Sequence, residues 1–320
     1  MMLPPRARDL PFAITRASHV ALAVADLDRS LTFYREVVGL ALSDRVGPSA
    51  YLRGVEENSH HSLVLTQAAD PSCGRLGFRV RDAADLDRMA AHLSAQGLDP
   101  LWNDRPFQGR TLQLRDPAGI PIEFCAAMPL LPRLHSRVVD QRGAPALRFD
   151  HTQVCVTDVL SACRFYSALG FAVSDYSFTP KQELVSAFMH CKDNPHDIVL
   201  ASRAGPRLHH FGYVVDPQAL LRVGDMAANL GMRRQVEYGP SRHGQDHASF
   251  VYLRDPDGHR IELLTHPIQL IPGECPPIGR DVTDRDQFVA WGQPVPASFL
   301  NEATLFPGEA VADPVVTRSW

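Results

Sequence analysis

LRDPAGIPIEF at residues 114–124 returns as LRDPDGHRIEL at residues 253–263, which pairs Glu123 with Glu262. Outward from there, ASHVALAVADLDRSLTFYREVVGL from Ala17 is echoed by FDHTQVCVTDVLSACRFYSALGF from Phe149. His19 then matches His151, Phe33-Tyr34 matches Phe165-Tyr166, and Gly39 matches Gly170. Self-similarity at this spacing marks a chain assembled from repeated supersecondary units. Between the halves, LLPRLHSRVVDQRGAPA reads as a linker.

Each half divides again. VALAV and HTQVCVTD alternate as half-buried strands do. Asp26 and Asp158 are placed to cap the helices DLDRSLTFYREV and DVLSACRFYSAL, and Gly39 and Gly170 to stop them. FAVSDYSF, ELVSAFMHC and HDIVLAS follow as strands. A second run of the same order begins at LHHFGYVV, passes through the helix PQALLRVGDMAANLG and ends in SFVYLRDPDGHRIELLT, where DPDG marks a turn. The expectation is an α+β fold of four βαβββ units in two similar domains. Their bounds are residues 1–135 and 149–268, with a linker at 136–148 and a proline-rich tail at 269–320 whose last residues are expected to be disordered.

Composition narrows the function. With 320 residues and 45% hydrophobic content the chain can bury a sizeable core. A net charge of −4 and no dense basic run argue against nucleic-acid or membrane-surface partners. MMLPPRARDLPF has no apolar stretch behind its arginines and does not read as a signal peptide. No apolar run reaches the roughly 18 residues of a membrane span. The six cysteines are scattered, without a C-x-x-C, which points to a reduced, cytoplasmic protein.

Three residues on three strands stand out as metal ligands: His151, His210 and Glu262. Two histidines and one carboxylate on one face of an ion leave positions open for two reactants, the arrangement of non-haem Fe(II) oxygenases. Gly212 shares a strand face with His210 and leaves room beside it. Taken singly, each ligand has a bland reading: a strand histidine is usually structural, Glu262 could be a solvated edge residue, and His209-His210 a surface doublet. Their places in the repeat weigh against this, because His19 and Glu123 stand where His151 and Glu262 do. In the first half Arg75 stands where His210 would, so that half reads as a copy that kept the fold and lost the metal.

HTQVCVTD, HDIVL, RLHHFGYVV, GPSRHG and VYLRDPDGHRIEL run in one order through residues 149–265. Together they resemble the type I extradiol ring-cleaving dioxygenases of the vicinal oxygen chelate superfamily. Within that family the likeness is greatest to the homoprotocatechuate 2,3-dioxygenases and catechol 2,3-dioxygenase-like enzymes, whose tail carries a segment like Trp291-Gly292-Gln293-Pro294-Val295. The resemblance implies that His151, His210 and Glu262 hold Fe(II), with Mn(II) as the substitute, and that a catechol chelates it beside O2. His196 would be the acid/base histidine, and His243 and Tyr252 would hydrogen-bond the substrate's oxygens. Gln153 would lie near the O2 side and Phe188 against the ring. The ring would open next to, rather than between, its two hydroxyls, and the tail would pack near the site. The resemblance also implies a homotetramer. His259, in the turn, is expected to be exposed.

The chain departs from the homoprotocatechuate pattern where that pattern places arginines on a substrate carboxylate. Tyr238 stands at one position and Gln287 and Phe288 at the others, with Arg285 out of register. A buried carboxylate without a cation is costly. The expected substrate is therefore a neutral substituted or polyhydroxylated catechol, in a pocket lined by Tyr238, Phe188 and Phe288. Two alternatives use the same units: homoprotocatechuate cleavage proper, and a glyoxalase-like Zn(II) or Ni(II) isomerase, for which a second carboxylate ligand is usual. A metal-free binding protein is the third.

Overall fold

A computed structural model describes residues 3–271 and 273–317. The expected disorder of the last residues falls on 318–320, outside the described residues. The first half runs β1 (Ile14–Val24), α1 (Leu27–Thr32), β2 (Ala41–Val46), β3 (Ser49–Arg53), β4 (Leu63–Gln67), β5 (Ser72–Val80), α2 (Ala83–Ala95), β6 (Leu101–Arg105), β7 (Gly109–Arg115) and β8 (Pro121–Cys125). The second half repeats it: β9 (Ala146–Val156), α3 (Val159–Ala168), β10 (Ala172–Phe178), β11 (Leu184–His190), β12 (Ile198–Ser202), β13 (Arg207–Val215), α4 (Pro217–Asn229), β14 (Val236–His243), β15 (Ser249–Arg254) and β16 (Arg260–Leu264). The strand order is β2-β3-β4-β1-β5-β8-β7-β6 in one sheet and β10-β11-β12-β9-β13-β16-β15-β14 in the other. Each strand number in the second is eight higher than in the first, so the four βαβββ units of the sequence reading are present as two equivalent sheets.

Local chemistry explains the elements. The Asp26 carboxylate accepts the Arg29 N–H at 2.9 Å and Asp158 that of Ser161 at 3.0 Å, each satisfying an orphan donor of the first turn. Gly39 and Gly170 adopt φ of 85° and 94°, which a side chain would resist. One expected helix divides: after Thr32 the backbone widens into a π turn over Phe33–Val37, with Val38 N–H donating to Phe33 C=O. That turn carries Tyr34.

The two halves lock reciprocally. Tyr34 donates to Asp255 Oδ2 at 2.9 Å, and Tyr166 donates to Asp116 Oδ2 at 3.0 Å, all four groups buried. The paired Phe-Tyr and Arg-Asp-Pro motifs of the repeat are thus the two ends of one inter-half contact. Burying each aromatic adds about 1.5–3 kcal/mol beyond the hydrogen bond.

His259 corrects the sequence reading, since it is 1% exposed rather than solvated. Its Nε2 donates to Ala23 C=O at 2.9 Å and its Nδ1 lies 3.0 Å from Thr304 Oγ1, so the turn is pinned between the first half and the tail. The tail itself extends the second sheet. β17 (Ile278–Asp281) pairs with β10, β18 (Val289–Trp291) with β14, and β19 (Thr304–Leu305) with β13, while α5 (Ala297–Asn301) lies between the last two. Among the described residues no helix is long and apolar enough to cross a membrane.

Candidate metal and active site

β9, β13 and β16 are adjacent in the second sheet and carry His151, His210 and Glu262. All three side chains are buried. His151 Nε2 lies 3.1 Å from His210 Nε2 and 3.1 Å from Glu262 Oε2, and His210 Nε2 lies 3.3 Å from the same oxygen. Donors at right angles on an ion with bonds of about 2.1 Å are about 3.0 Å apart, and tetrahedral donors about 3.4 Å. The triangle is close to one face of an octahedron, which fits a divalent ion held by two imidazoles and one carboxylate with its other side open. The register explains the close approach: Gly212 faces His151, and a Cβ there would sit 2.5 Å from the ring.

Electrostatics prepare this triangle for a cation. Burial opposes charge on Glu262, but His151, His210 and His243 outweigh it and hold the carboxyl well below its usual range. Burial likewise opposes a charge on His151, yet Asp150 and Glu262 raise it to about 9. Burial lowers His210 to about 4. An ionised carboxylate and a histidine that attracts a proton are what a cation would meet.

The ten residues assigned to the site from sequence converge on one open cavity of about 150 Å³: His151, Gln153, Phe188, His196, His210, Tyr238, His243, Tyr252, Glu262 and Phe288. The His196 ring packs edge-on to His151 at 4.2 Å and to Phe188 at 5.5 Å. Burial, and then His151, push His196 well below its ordinary value, and its Nδ1 has no hydrogen-bond partner among the described residues. Its neighbour Asp197 fixes the loop, accepting Ala17 N–H at 2.6 Å and Cys191 N–H at 2.7 Å. His243 Nε2 meets Glu262 Oε1 at 2.8 Å and the Tyr252 hydroxyl at 3.4 Å, so both polar tips look into the metal triangle. Tyr238 stacks parallel to Tyr252 at 6.0 Å, and its hydroxyl has no partner among the described residues.

Sequence reasoning missed four contributors. Asp150 Oδ2 accepts from His151 Nδ1 at 2.9 Å. His209 Nδ1 lies 2.7 Å from His210 Nδ1, so the doublet is buried rather than on the surface. Asp150 and His209 are both the extra residue at a one-residue register shift between β9 and β13. Such a bulge re-aims a side chain that strict alternation would send to the other face. Phe299, on α5, closes the cavity beside Tyr238 and Tyr252. Arg203 is the one guanidinium lining the cavity among the described residues, and its Nη1 donates to the carbonyls of Phe299 and Leu300 at 2.6 and 3.0 Å.

Comparison with known proteins agrees with this geometry. An extradiol ring-cleaving dioxygenase from B. fuscum superposes with a TM-score of 0.92 at 30% identity, covering 99% of this chain and 90% of that one. Homoprotocatechuate 2,3-dioxygenase from Arthrobacter globiformis superposes with a TM-score of 0.90 at 30% identity, covering 96% and 97%. A manganese-dependent 2,3-dihydroxybiphenyl 1,2-dioxygenase from Geobacillus genomosp. 3 is 28% identical over 298 residues, 88% of this chain and 94% of its own. Residues 16–124 and 148–263 match the Glyoxalase/Bleomycin resistance protein/Dioxygenase superfamily, and the chain belongs to it, among the extradiol ring-cleaving dioxygenases.

Proposed function

We propose that this chain cleaves the ring of a catechol-type substrate with O2 in the extradiol manner, at Fe(II) or Mn(II) held by His151, His210 and Glu262. The observation that carries the reading is the donor triangle of 3.1, 3.1 and 3.3 Å open toward the cavity. Bound there, the metal lowers the pKa of a catechol hydroxyl and brings the diol and O2 together. The protein does the rest. Phe188 gives the ring an aromatic wall, and Gln153 lies toward the O2 side. Tyr252 and His243 hold the diol oxygens. His196, neutral and with Nδ1 unpartnered, takes a proton from a diol hydroxyl and returns it to the O2-derived oxygen that is released as the O–O bond breaks.

The substrate proposed is a neutral catechol, substituted by methyl or further hydroxyl groups. Tyr238 and Phe288 line the cavity where an acidic substituent would need a cation, and Arg203 already donates to the tail. A cytoplasmic homotetramer completes the reading. Six cysteines, none of them in a disulfide, support a reduced compartment, and light scattering measures the assembly. The test of function is O2 uptake with spectral scanning, using anaerobically Fe(II)-loaded protein. The panel is catechol, methylcatechols, a trihydroxylated ring and 3,4-dihydroxyphenylacetate. One O2 consumed per yellow ring-opened product is expected, with the neutral rings fastest. No uptake by metal-loaded protein would overturn extradiol cleavage, and a preference for the acid would overturn only the neutral pocket.

A further inference from the structure

His209 lies outside every role given above, yet it bridges a ligand to the tail. Its Nε2 is 2.8 Å from the carbonyl oxygen of Phe299. A carbonyl only accepts, so that nitrogen carries the hydrogen. The ring is buried, and with its one hydrogen on Nε2 the neutral imidazole presents Nδ1 as an acceptor. The contact of 2.7 Å between His209 Nδ1 and His210 Nδ1 must then be filled by a hydrogen on His210 Nδ1. That leaves His210 Nε2, the atom in the donor triangle, with a free lone pair. The chain of hydrogen bonds sets His210 in this tautomer ahead of metal binding.

The far end of the chain is built to stay in place. Phe299 sits in the short helix α5, where the Glu302 N–H donates to the Ser298 carbonyl and helix geometry leaves the carbonyls after it to find partners elsewhere. Arg203 donates to Phe299 and Leu300, Arg207 to Asn301, and Arg260 to Ser298 and Glu302. Arg260 is itself anchored by Glu237 at 2.7 Å. The Phe299 ring packs against His209 at 4.6 Å.

We propose that His209 is a positioning residue that transmits the seating of the C-terminal tail to the metal site, by fixing through the Phe299 carbonyl the tautomer in which His210 offers Nε2. This rests on the metal-site reading above. Partners that orient a ligand imidazole typically change metal affinity about 10–100-fold. Coupling between two sites is reciprocal, so metal must stabilise the seated tail as much as the seated tail favours metal.

The test uses Mn(II) alone, with binding followed by electron paramagnetic resonance and tail order by hydrogen exchange. His209→Phe is expected to weaken Mn(II) binding about 10–100-fold. His209→Asn, whose side-chain oxygen can accept from His210 Nδ1 in place of the imidazole nitrogen, should restore most of it. In the wild type, Mn(II) should slow exchange at residues 297–305, and His209→Phe should abolish that slowing. Unchanged affinity in His209→Phe would overturn the inference. So would Mn(II) binding to the wild type with no effect on tail exchange, a result that needs no variant to fold. Failure of the wild type to bind Mn(II) or Fe(II) would overturn the metal-site reading, and the inference with it.

Discussion

The two halves of this chain are the same scaffold with different chemistry in the same place. In the second half His151, His210 and Glu262 form an open triangle. In the first, His19 and Glu123 keep their places at 2.7 Å, but Arg75 takes the third position with its Nε 2.8 Å from Glu123. The registers match: His19 faces Gly77 as His151 faces Gly212. Even the one-residue shifts recur. Ser18 and Gly74 occupy the bulges that hold Asp150 and His209 in the second half. The first half has therefore lost one candidate ligand and both groups that orient the imidazoles, while a guanidinium supplies the positive charge in a covalent form. Gln108 completes the replacement by donating to Glu123 at 2.9 Å. A buried carboxylate needs a cation, and either a metal or an arginine satisfies that need. Only the metal leaves positions open for reactants.

The strongest way to break this comparison is to import the first half's solution. His210→Arg should abolish Fe(II) and Mn(II) binding and lower ring cleavage by more than about 10³-fold, a loss of several kcal/mol in transition-state stabilisation. The fold should survive, with the introduced guanidinium pairing with Glu262 as Arg75 pairs with Glu123. Stoichiometric metal in that variant, by elemental analysis, would refute the equivalence. Next in size is His196→Gln, for which kcat should fall about 10²–10⁴-fold. His61, its counterpart ahead of β4, is hydrogen-bonded to Gln108 at 3.1 Å, and His61→Gln should leave kcat unchanged. Equal losses in the two variants would mean that both histidines are structural.

Glu123→Gln should leave metal content intact and destabilise the protein by about 2–4 kcal/mol in urea titrations, because it strands the half-buried Arg75 guanidinium and leaves buried His19 without its carboxylate partner. A neutral effect would show that the first-half pair has become dispensable. The smallest effect concerns the lock between halves. Tyr166→Phe should cost about 1–2 kcal/mol. Burial raises Asp116 to about 6 against the hydrogen bonds it accepts, from an ordinary 3.8. The native state therefore binds this proton more tightly than the unfolded chain. Its contribution is full below the ordinary value and is lost as pH rises through about 6. Asp116→Asn should flatten that part of the stability profile, and an unaltered slope would assign it to another group.

Much of the site was legible because repetition carries information that single residues do not. Glu262 in isolation is one more strand carboxylate, whereas Glu262 aligned with Glu123 within an Arg-Asp-Pro turn motif is a position. Tyr252 could be placed because a hairpin of known turn puts it opposite Glu262, and the register confirms that pairing. His259 was misread for the converse reason. A turn residue is exposed unless another segment covers it, and here Ala23 and Thr304 come from 236 residues before and 45 after.

By itself the sequence determined the succession of strands and helices along the chain, the helix caps, the repeat and the chemical type of each donor, since these depend on local propensity, alternation and residue identity. Tertiary structure alone decided which nitrogen faces the triangle, that Asp150 and His209 turn toward the donors, and that Arg203 and Phe299 close the cavity. Bulges and tail contacts set those directions, and both are long-range events: a one-residue shift between paired strands leaves no mark in the residues it displaces.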